Sequence, residues 1–105
     1  MPAFRYEVED QGETVVVALE GELDMSATFE LEPALERLAA DETTRTLVLD
    51  MGGVTFMDSS ALGLVLSTED RSQAEDVRFV VASPSPAVQR VLEVTGAAET
   101  LSIDP

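Results

Sequence analysis

Residues 46–66 read TLVLDMGGVTFMDSSALGLVL, and this stretch decides the fold that the sequence predicts. Residues 46–51 are apolar on both faces, which is typical of a central strand with parallel neighbours. Gly52 and Gly53 are expected to break that strand, and residues 54–57 to lead back into the core. Asp58 then opens a helix. The segment therefore predicts a strand, a loop and a helix of an α/β domain.

The helix that follows Asp58 is apolar almost all round in its first turns. Ala61, Leu62, Leu64, Val65 and Leu66 cover most of its circumference, so these turns are expected to be deeply buried. Residues 68–75 are polar and are expected to face water.

Residues 4–9 and 14–19, upstream of this segment, predict a β-hairpin. The first run alternates apolar and polar side chains, and the second is rich in valine. Residues 10–13 between them read as a turn in which Gly12 can adopt a positive φ.

A first helix is predicted between the hairpin and residue 46. Asp24 or Ser26 can cap it, and Leu31, Leu35 and Leu38 form one apolar stripe. Pro33 would cost about 3 kcal/mol inside a helix. The pattern leaves two alternatives open, a helix kinked at Pro33 or a regular helix that starts near residue 32.

Downstream, residues 77–82 predict another buried strand and residues 86–95 a third helix. Ser85 followed by Pro86 is a strong helix start, and Gly96 a strong helix stop. Residues 100–103 can add a last short strand. The order β-β-α-β-α-β-α-β predicts a mixed β-sheet with crossover helices, in a single domain over residues 1–105.

The charge of the chain limits its partners. Six basic residues against 21 acidic ones give a net charge of −15, so binding to nucleic acid or to anionic lipid through charge is not expected. The acidity has two readings, attraction to a basic partner or a solvated shell that favours solubility. No apolar run is long enough to span a membrane, and no secretory leader is recognised, so we expect a cytoplasmic protein.

The absent residue types exclude most catalysis. The chain has no histidine and no cysteine, so it can form neither a Ser-His-Asp triad nor a thiolate metal site. Asp50 is placed like the strand-end aspartate of haloacid-dehalogenase phosphatases and response-regulator receivers, but both use a lysine that is absent here. Asp50 is therefore expected to bond loop amides. We expect no enzyme, no cofactor and no metal.

Ser59 is the sharpest candidate site. It lies at a predicted helix start, where free N–H groups and the positive end of the helix dipole can accommodate a phosphate. Phosphorylation would add about −1.5 to −2 charges beside Asp58. The alternative is that Asp58, Ser59 and Ser60 only cap a buried helix.

Four motifs together resemble the STAS-domain anti-sigma-factor antagonists of bacteria. They are GELD at 21–24, FMDSSALG at 56–63, SPSPAV at 83–88 and TG at 95–96. The resemblance implies a phosphoprotein of transcription regulation that binds an anti-sigma factor, itself a serine kinase, and so frees a sigma factor. It also implies a serine phosphatase that resets the switch.

By position, the resemblance implies phosphorylation at Ser59, with Asp24, Asp58 and Ser60 beside it on the partner-binding surface. The alternative is a non-switching STAS subunit of a larger assembly, such as a stress-sensing complex or a lipid-transport machine. Two features depart from the family. Ala61 replaces the usual glycine after the serine pair, and the usual terminal helix is missing after residue 103, so a homodimer could cover the surface left exposed.

Overall fold

A five-stranded sheet lies at the centre of the computed structural model, which describes residues 3–105. The elements follow the predicted order and confirm the mixed α/β fold. They are β1 (Arg5–Gln11), β2 (Thr14–Leu23), α1 (Met25–Ala40), β3 (Thr46–Met57), α2 (Ser59–Ala74), β4 (Arg78–Ala82), α3 (Pro86–Thr95), a 3-10 turn (Ala97–Glu99) and β5 (Ile103–Asp104).

The strands lie in the sheet in the same order as in the chain. β1 pairs antiparallel with β2 through the predicted turn, in which Gly12 has a φ of 84°; β2, β3, β4 and β5 pair in parallel. Parallel crossovers are right-handed, and this strand order never reverses direction. All three helices therefore lie on one face of the sheet.

Burial alternates along β2 and the first half of β3, whereas β4 is buried at three consecutive residues, Phe79 to Val81. Val17, Leu49 and Val81 point toward the helices and are at most 1% exposed. Val16 and Val48 point to the opposite face and are only partly buried. We call that second face the open face; the hydrophobic core lies between the sheet and the helices.

β3 corrects one prediction, because Gly52 and Gly53 do not break the strand. β3 runs unbroken to Met57, and its second half pairs with the end of β2, where register shifts absorb the irregularity. A Cβ on Gly53 would lie 2.8 Å from the carbonyl oxygen of Leu19. A glycine is needed here because the two backbones come close together, not because the chain turns.

α1 settles the question that Pro33 left open. Asp24 caps the helix, which begins at Met25 and continues past Pro33 as a single helix. Pro33 itself is exposed, while Leu31 and Leu35 on the opposite side are at most 1% exposed. Tertiary burial of this face offsets the local cost of the proline.

α3 follows its sequence signals closely. The Ser85 hydroxyl accepts a hydrogen bond from the N–H of Val88, Pro86 occupies the first turn, and Gly96 ends the helix in the left-handed conformation. The last strand is shorter than predicted and begins only at Ile103.

α2 departs from the prediction in its second half, where two polar residues face the core rather than water. Thr68 is buried, and its hydroxyl donates to the carbonyl of Leu64 at 2.7 Å. Ser72 is fully buried, and its hydroxyl has no partner among the described residues.

Replacing Ser72 with alanine should therefore stabilise the protein. Removing a buried hydroxyl without a partner is expected to raise the free energy of unfolding by about 1 kcal/mol, which urea denaturation measures. Ser67→Ala is the control; Ser67 is exposed on the same helix, and its change should stay within about 0.5 kcal/mol. A lower stability of Ser72→Ala would show that the hydroxyl is bonded.

Candidate functional site: two capped helix starts

Two aspartates head neighbouring helices at the same edge of the sheet. β2 and β3 are parallel and each runs directly into a helix, so the starts of α1 and α2 meet at the carboxyl edge. Asp24 Oδ1 accepts the N–H of Ala27, and Asp58 Oδ1 accepts the N–H of Ala61, both at 3.0 Å. Each carboxylate is an N-cap.

Hydroxyl groups join the two helix starts. The Ser60 hydroxyl donates to Asp58 Oδ1 at 2.6 Å and lies 3.5 Å from the hydroxyl of Thr28. Thr28 in turn donates to the carbonyl oxygen of Asp24 at 2.9 Å. Because both hydroxyl hydrogens are used in these two bonds, the approach of Thr28 and Ser60 is a packing contact between α1 and α2.

These contacts also set the charge of Asp58. The hydrogen bond from Ser60 lowers the pKa of the Asp58 carboxyl below its ordinary value of 3.8, and the N–H groups of Ala61, Ser60 and Met25 add to this effect. Partial burial acts in the opposite direction without reversing the shift. Asp58 is therefore ionised at neutral pH.

Ser59 stands apart from this network. It is the first residue of α2, it is exposed, and its hydroxyl makes no hydrogen bond to a residue that the structure describes. Ser60, its neighbour, is partly buried and committed to Asp58. The two serines are thus distinguished by geometry, and Ser59 is the one that an enzyme can reach.

The structure places Asp24, Asp58, Ser59 and Ser60 on one edge of the sheet, and their roles in phosphorylation and partner binding stay predictions. Their two aspartates cap helices, so the capping interpretation holds for both. Asp50, predicted to be structural, accepts the N–H of Gly52 at 3.0 Å. Asp50 therefore bonds a backbone amide as predicted, but that amide lies within β3 and not in a loop.

Sequence reasoning missed an apolar rim beside these residues. Met25 and Phe29 on α1 are 66% and 77% exposed, and Phe56 near the end of β3 is 46% exposed. It also missed Thr28, which bridges the helices. The spacing of Met25 and Phe29, one turn apart and outside the buried stripe of α1, was the available signal.

Two further kinds of feature, metal sites and membrane-spanning helices, were sought in the described residues. Within residues 3–105, no group of three or more acidic side chains is placed to hold a metal ion. None of the helices in that range has the length and apolar character needed to cross a membrane.

Comparisons with known proteins agree on one family. A family model described as "STAS domain" matches residues 5–105. The anti-sigma F factor antagonist of Lysinibacillus sphaericus is 34% identical over 84 residues, which cover 80% of this chain and 72% of that protein.

Solved structures give the same result. An anti-sigma factor antagonist from Mycobacterium paratuberculosis superposes with a TM-score of 0.87 at 31% identity, over 98% of this chain and 86% of its own. The anti-sigma factor antagonist SpoIIAA in its unphosphorylated form gives 0.80 at 30% identity, over 98% and 89%. The phosphorylated form of SpoIIAA from Bacillus gives 0.75 at 29%, over 98% and 92%.

Proposed function

Because this chain belongs to the STAS-domain family, as its motifs predicted, we propose that it is an anti-sigma-factor antagonist switched by phosphorylation of Ser59. With Ser59 unmodified, it binds an anti-sigma factor that is also a serine kinase, and the sigma factor is released. Phosphate on Ser59 ends this binding, and a serine phosphatase restores it.

The observation that carries the proposal is the difference between two adjacent serines. Ser59 is exposed and free of hydrogen bonds to the described residues, on a helix start whose position is fixed by Asp58 and Ser60. A kinase needs an accessible hydroxyl, and Ser59 provides one. SpoIIAA, to which this chain is similar, has been solved in both a phosphorylated and an unphosphorylated form, which supports such a switch.

The geometry also explains why a phosphate would oppose binding. A kinase that phosphorylates Ser59 must bring the terminal phosphate of its nucleotide to the Ser59 hydroxyl. After transfer, the phosphoserine faces the remaining nucleotide phosphates on one side and the ionised Asp58 on the other. Repulsion and desolvation of this anion then separate the two proteins.

Phosphosite mapping tests the modification directly. The protein is incubated with ATP, Mg²⁺ and extract of its source organism, and the phosphate is placed by tandem mass spectrometry. We expect one phosphate, on Ser59, and none on the Ser59→Ala variant.

Ser26 is an internal control, since it is an exposed serine in the first turn of α1 and should stay unmodified. Phosphate on Ser60 or Ser26 instead of Ser59 would contradict the proposal. So would an unmodified protein in an extract that phosphorylates other serines, which would favour a non-switching subunit of a larger assembly.

A further inference from the structure

β1 is an uncovered edge of the sheet. The strand order runs from β1 to β5, and within residues 3–105 no strand lies on the outer side of β1. An edge strand carries a row of N–H and C=O groups without sheet partners, which can pair with a strand of another molecule. β1 is seven residues long and pairs with β2 without a register shift, so this row is continuous.

The opposite edge of the sheet is protected in a way that β1 is not. β5 has only two residues, which are too few to align a further strand. Edges are also commonly blocked by a proline or a β-bulge, and β1 contains neither. Pairing with a further strand is therefore open on the β1 side.

The hairpin turn fixes which backbone groups of β1 are free. Gln11 and Thr14 face each other across a two-residue turn, and such a closing pair is hydrogen-bonded. Bonded pairs alternate along an antiparallel ladder, so the N–H and C=O groups of Tyr6, Val8 and Asp10 point away from β2. A strand added at this edge bonds to these three residues.

The side chains of β1 specify the pattern of an incoming strand. Val8 pairs with Val17, which faces the core, so Val8 and Tyr6 point to the helix side of the sheet. Val8 is nevertheless 47% exposed, because no strand covers its outer side. Glu7 and Glu9 are exposed and point to the open face. The edge thus offers apolar positions on one face and acidic positions on the other.

The charge of the edge decides between a second copy of this chain and a different partner. β1 contains one basic residue, Arg5, which is already paired with Glu20 at 3.2 Å, and three acidic ones. Two copies paired antiparallel along the whole strand would place Glu7 of one opposite Glu9 of the other, in chains of net charge −15. Like charges directly opposite each other destabilise a sheet. The edge therefore opposes this self-pairing and attracts a basic strand.

We propose that β1 binds an extended basic segment of another protein, which adds to the sheet as an antiparallel sixth strand. Apolar side chains of that segment lie opposite Tyr6 and Val8, and basic ones lie opposite Glu7 and Glu9. Backbone hydrogen bonds contribute to the affinity, and the alternating side chains select the partner.

This edge is separate from the residues proposed for the switch. Val8 pairs with Val17, which precedes Leu23 at the end of β2 by six residues, or about 20 Å along the strand. The helix starts lie beyond that end. The proposal therefore does not depend on the function of Ser59.

The test uses a peptide of alternating lysine and valine, blocked at both ends and titrated against the full chain at about 50 mM NaCl. Hydrogen exchange followed by NMR should show the N–H groups of Tyr6 and Val8 exchanging at least about tenfold more slowly with peptide bound. The same peptide with N-methylated valines keeps its charge but loses the donors that face β1. It should bind at least about fivefold more weakly.

Variants of the protein test the backbone and the charge separately. Val8→Pro removes an outward N–H without changing the charge, and should raise the Kd about fivefold or more. Glu7→Gln combined with Glu9→Gln should raise it about tenfold. The matched control is Glu42→Gln combined with Glu75→Gln, which removes two exposed acids elsewhere and should change the Kd less than about twofold.

Thermal unfolding shows whether each variant keeps its fold, and the N-methylated peptide decides the question if Val8→Pro does not. Equal affinity for the two peptides would show that charge alone binds them and would overturn the proposal. So would the absence of binding, or protection of amides outside β1 only. If the chain forms dimers that Val8→Pro dissociates, a second copy occupies the edge and the proposal is wrong. Ser59→Glu should bind the peptide like the unmodified chain, so failure here leaves the switch intact.

Discussion

Replacing Ser59 with glutamate should weaken binding to the anti-sigma factor at least about a hundredfold, a loss of ~3 kcal/mol. The carboxylate places a charge beside Asp58, at the point where the partner must bring its nucleotide phosphates. An anion that is buried without a basic group opposite it costs several kcal/mol. Calorimetric titration of the two purified proteins, with nucleotide present, measures the effect.

Two variants make this result specific. Ser59→Ala should bind within about twofold of the unmodified protein and should resist inactivation by ATP. Ser102→Glu adds the same charge to another exposed serine, directly before β5 and away from the helix starts, and should have a much smaller effect. Equal binding by Ser59→Glu and Ser59→Ala would remove the basis of the switch.

Replacing Asp58 with alanine should lower the free energy of unfolding by about 2 kcal/mol, the upper end of what a helix cap contributes. The variant loses two hydrogen bonds to the carboxylate, from the N–H of Ala61 and from the hydroxyl of Ser60. Urea denaturation at neutral pH measures the loss.

The loss of stability in Asp58→Ala should also depend on pH. The pKa of Asp58 is lowered in the folded protein, so its carboxylate stabilises the fold above the ordinary value of 3.8 and ceases to do so as the pH falls through the folded value. The difference in free energy of unfolding between the unmodified protein and Asp58→Ala should therefore shrink as the pH falls from the ordinary value through the lowered pKa of Asp58. Asp70→Ala, an exposed acid on the same helix, should change stability by less than about 0.5 kcal/mol at either pH. A constant gap would show that packing, not charge, is lost.

Elements with local signals could be predicted from the sequence. The turn at Gly12, the start of α3 at Ser85 and its stop at Gly96 depend on residues next to each other in the chain, and each was confirmed. The cap at Asp58 belongs to the same class. In these places, the preferred backbone conformation of a residue decides the structure.

Features that depend on distant packing could not be predicted in this way. The path of β3 through Gly52 and Gly53 depends on how closely β2 approaches, and α1 continues through Pro33 because its other face is buried. The sequence pattern predicts Ser72 at the surface, and only the packing of α2 on the sheet shows that it is buried.

The same division applies to the candidate site. Ser59 and Asp58 lie in a short motif and could be identified from it, with Asp24 and Ser60 as neighbours. Thr28 could not, because its contact with Ser60 arises only when α1 lies against α2. The sequence pattern of α1 alone does not show which of its side chains contact α2.

The one-sided sheet has an evolutionary consequence. Residues such as Val17 and Leu49 are buried between the sheet and the helices, so large-to-small substitutions there are expected to destabilise the fold. Their neighbours Val16 and Val48 on the open face are only partly buried, and they lie on a different surface from Ser59 and the helix starts. Evolution can therefore change the open face while the edge that carries Ser59 stays the same. The buried face of the sheet thus preserves the fold, and the open face is the one that can change.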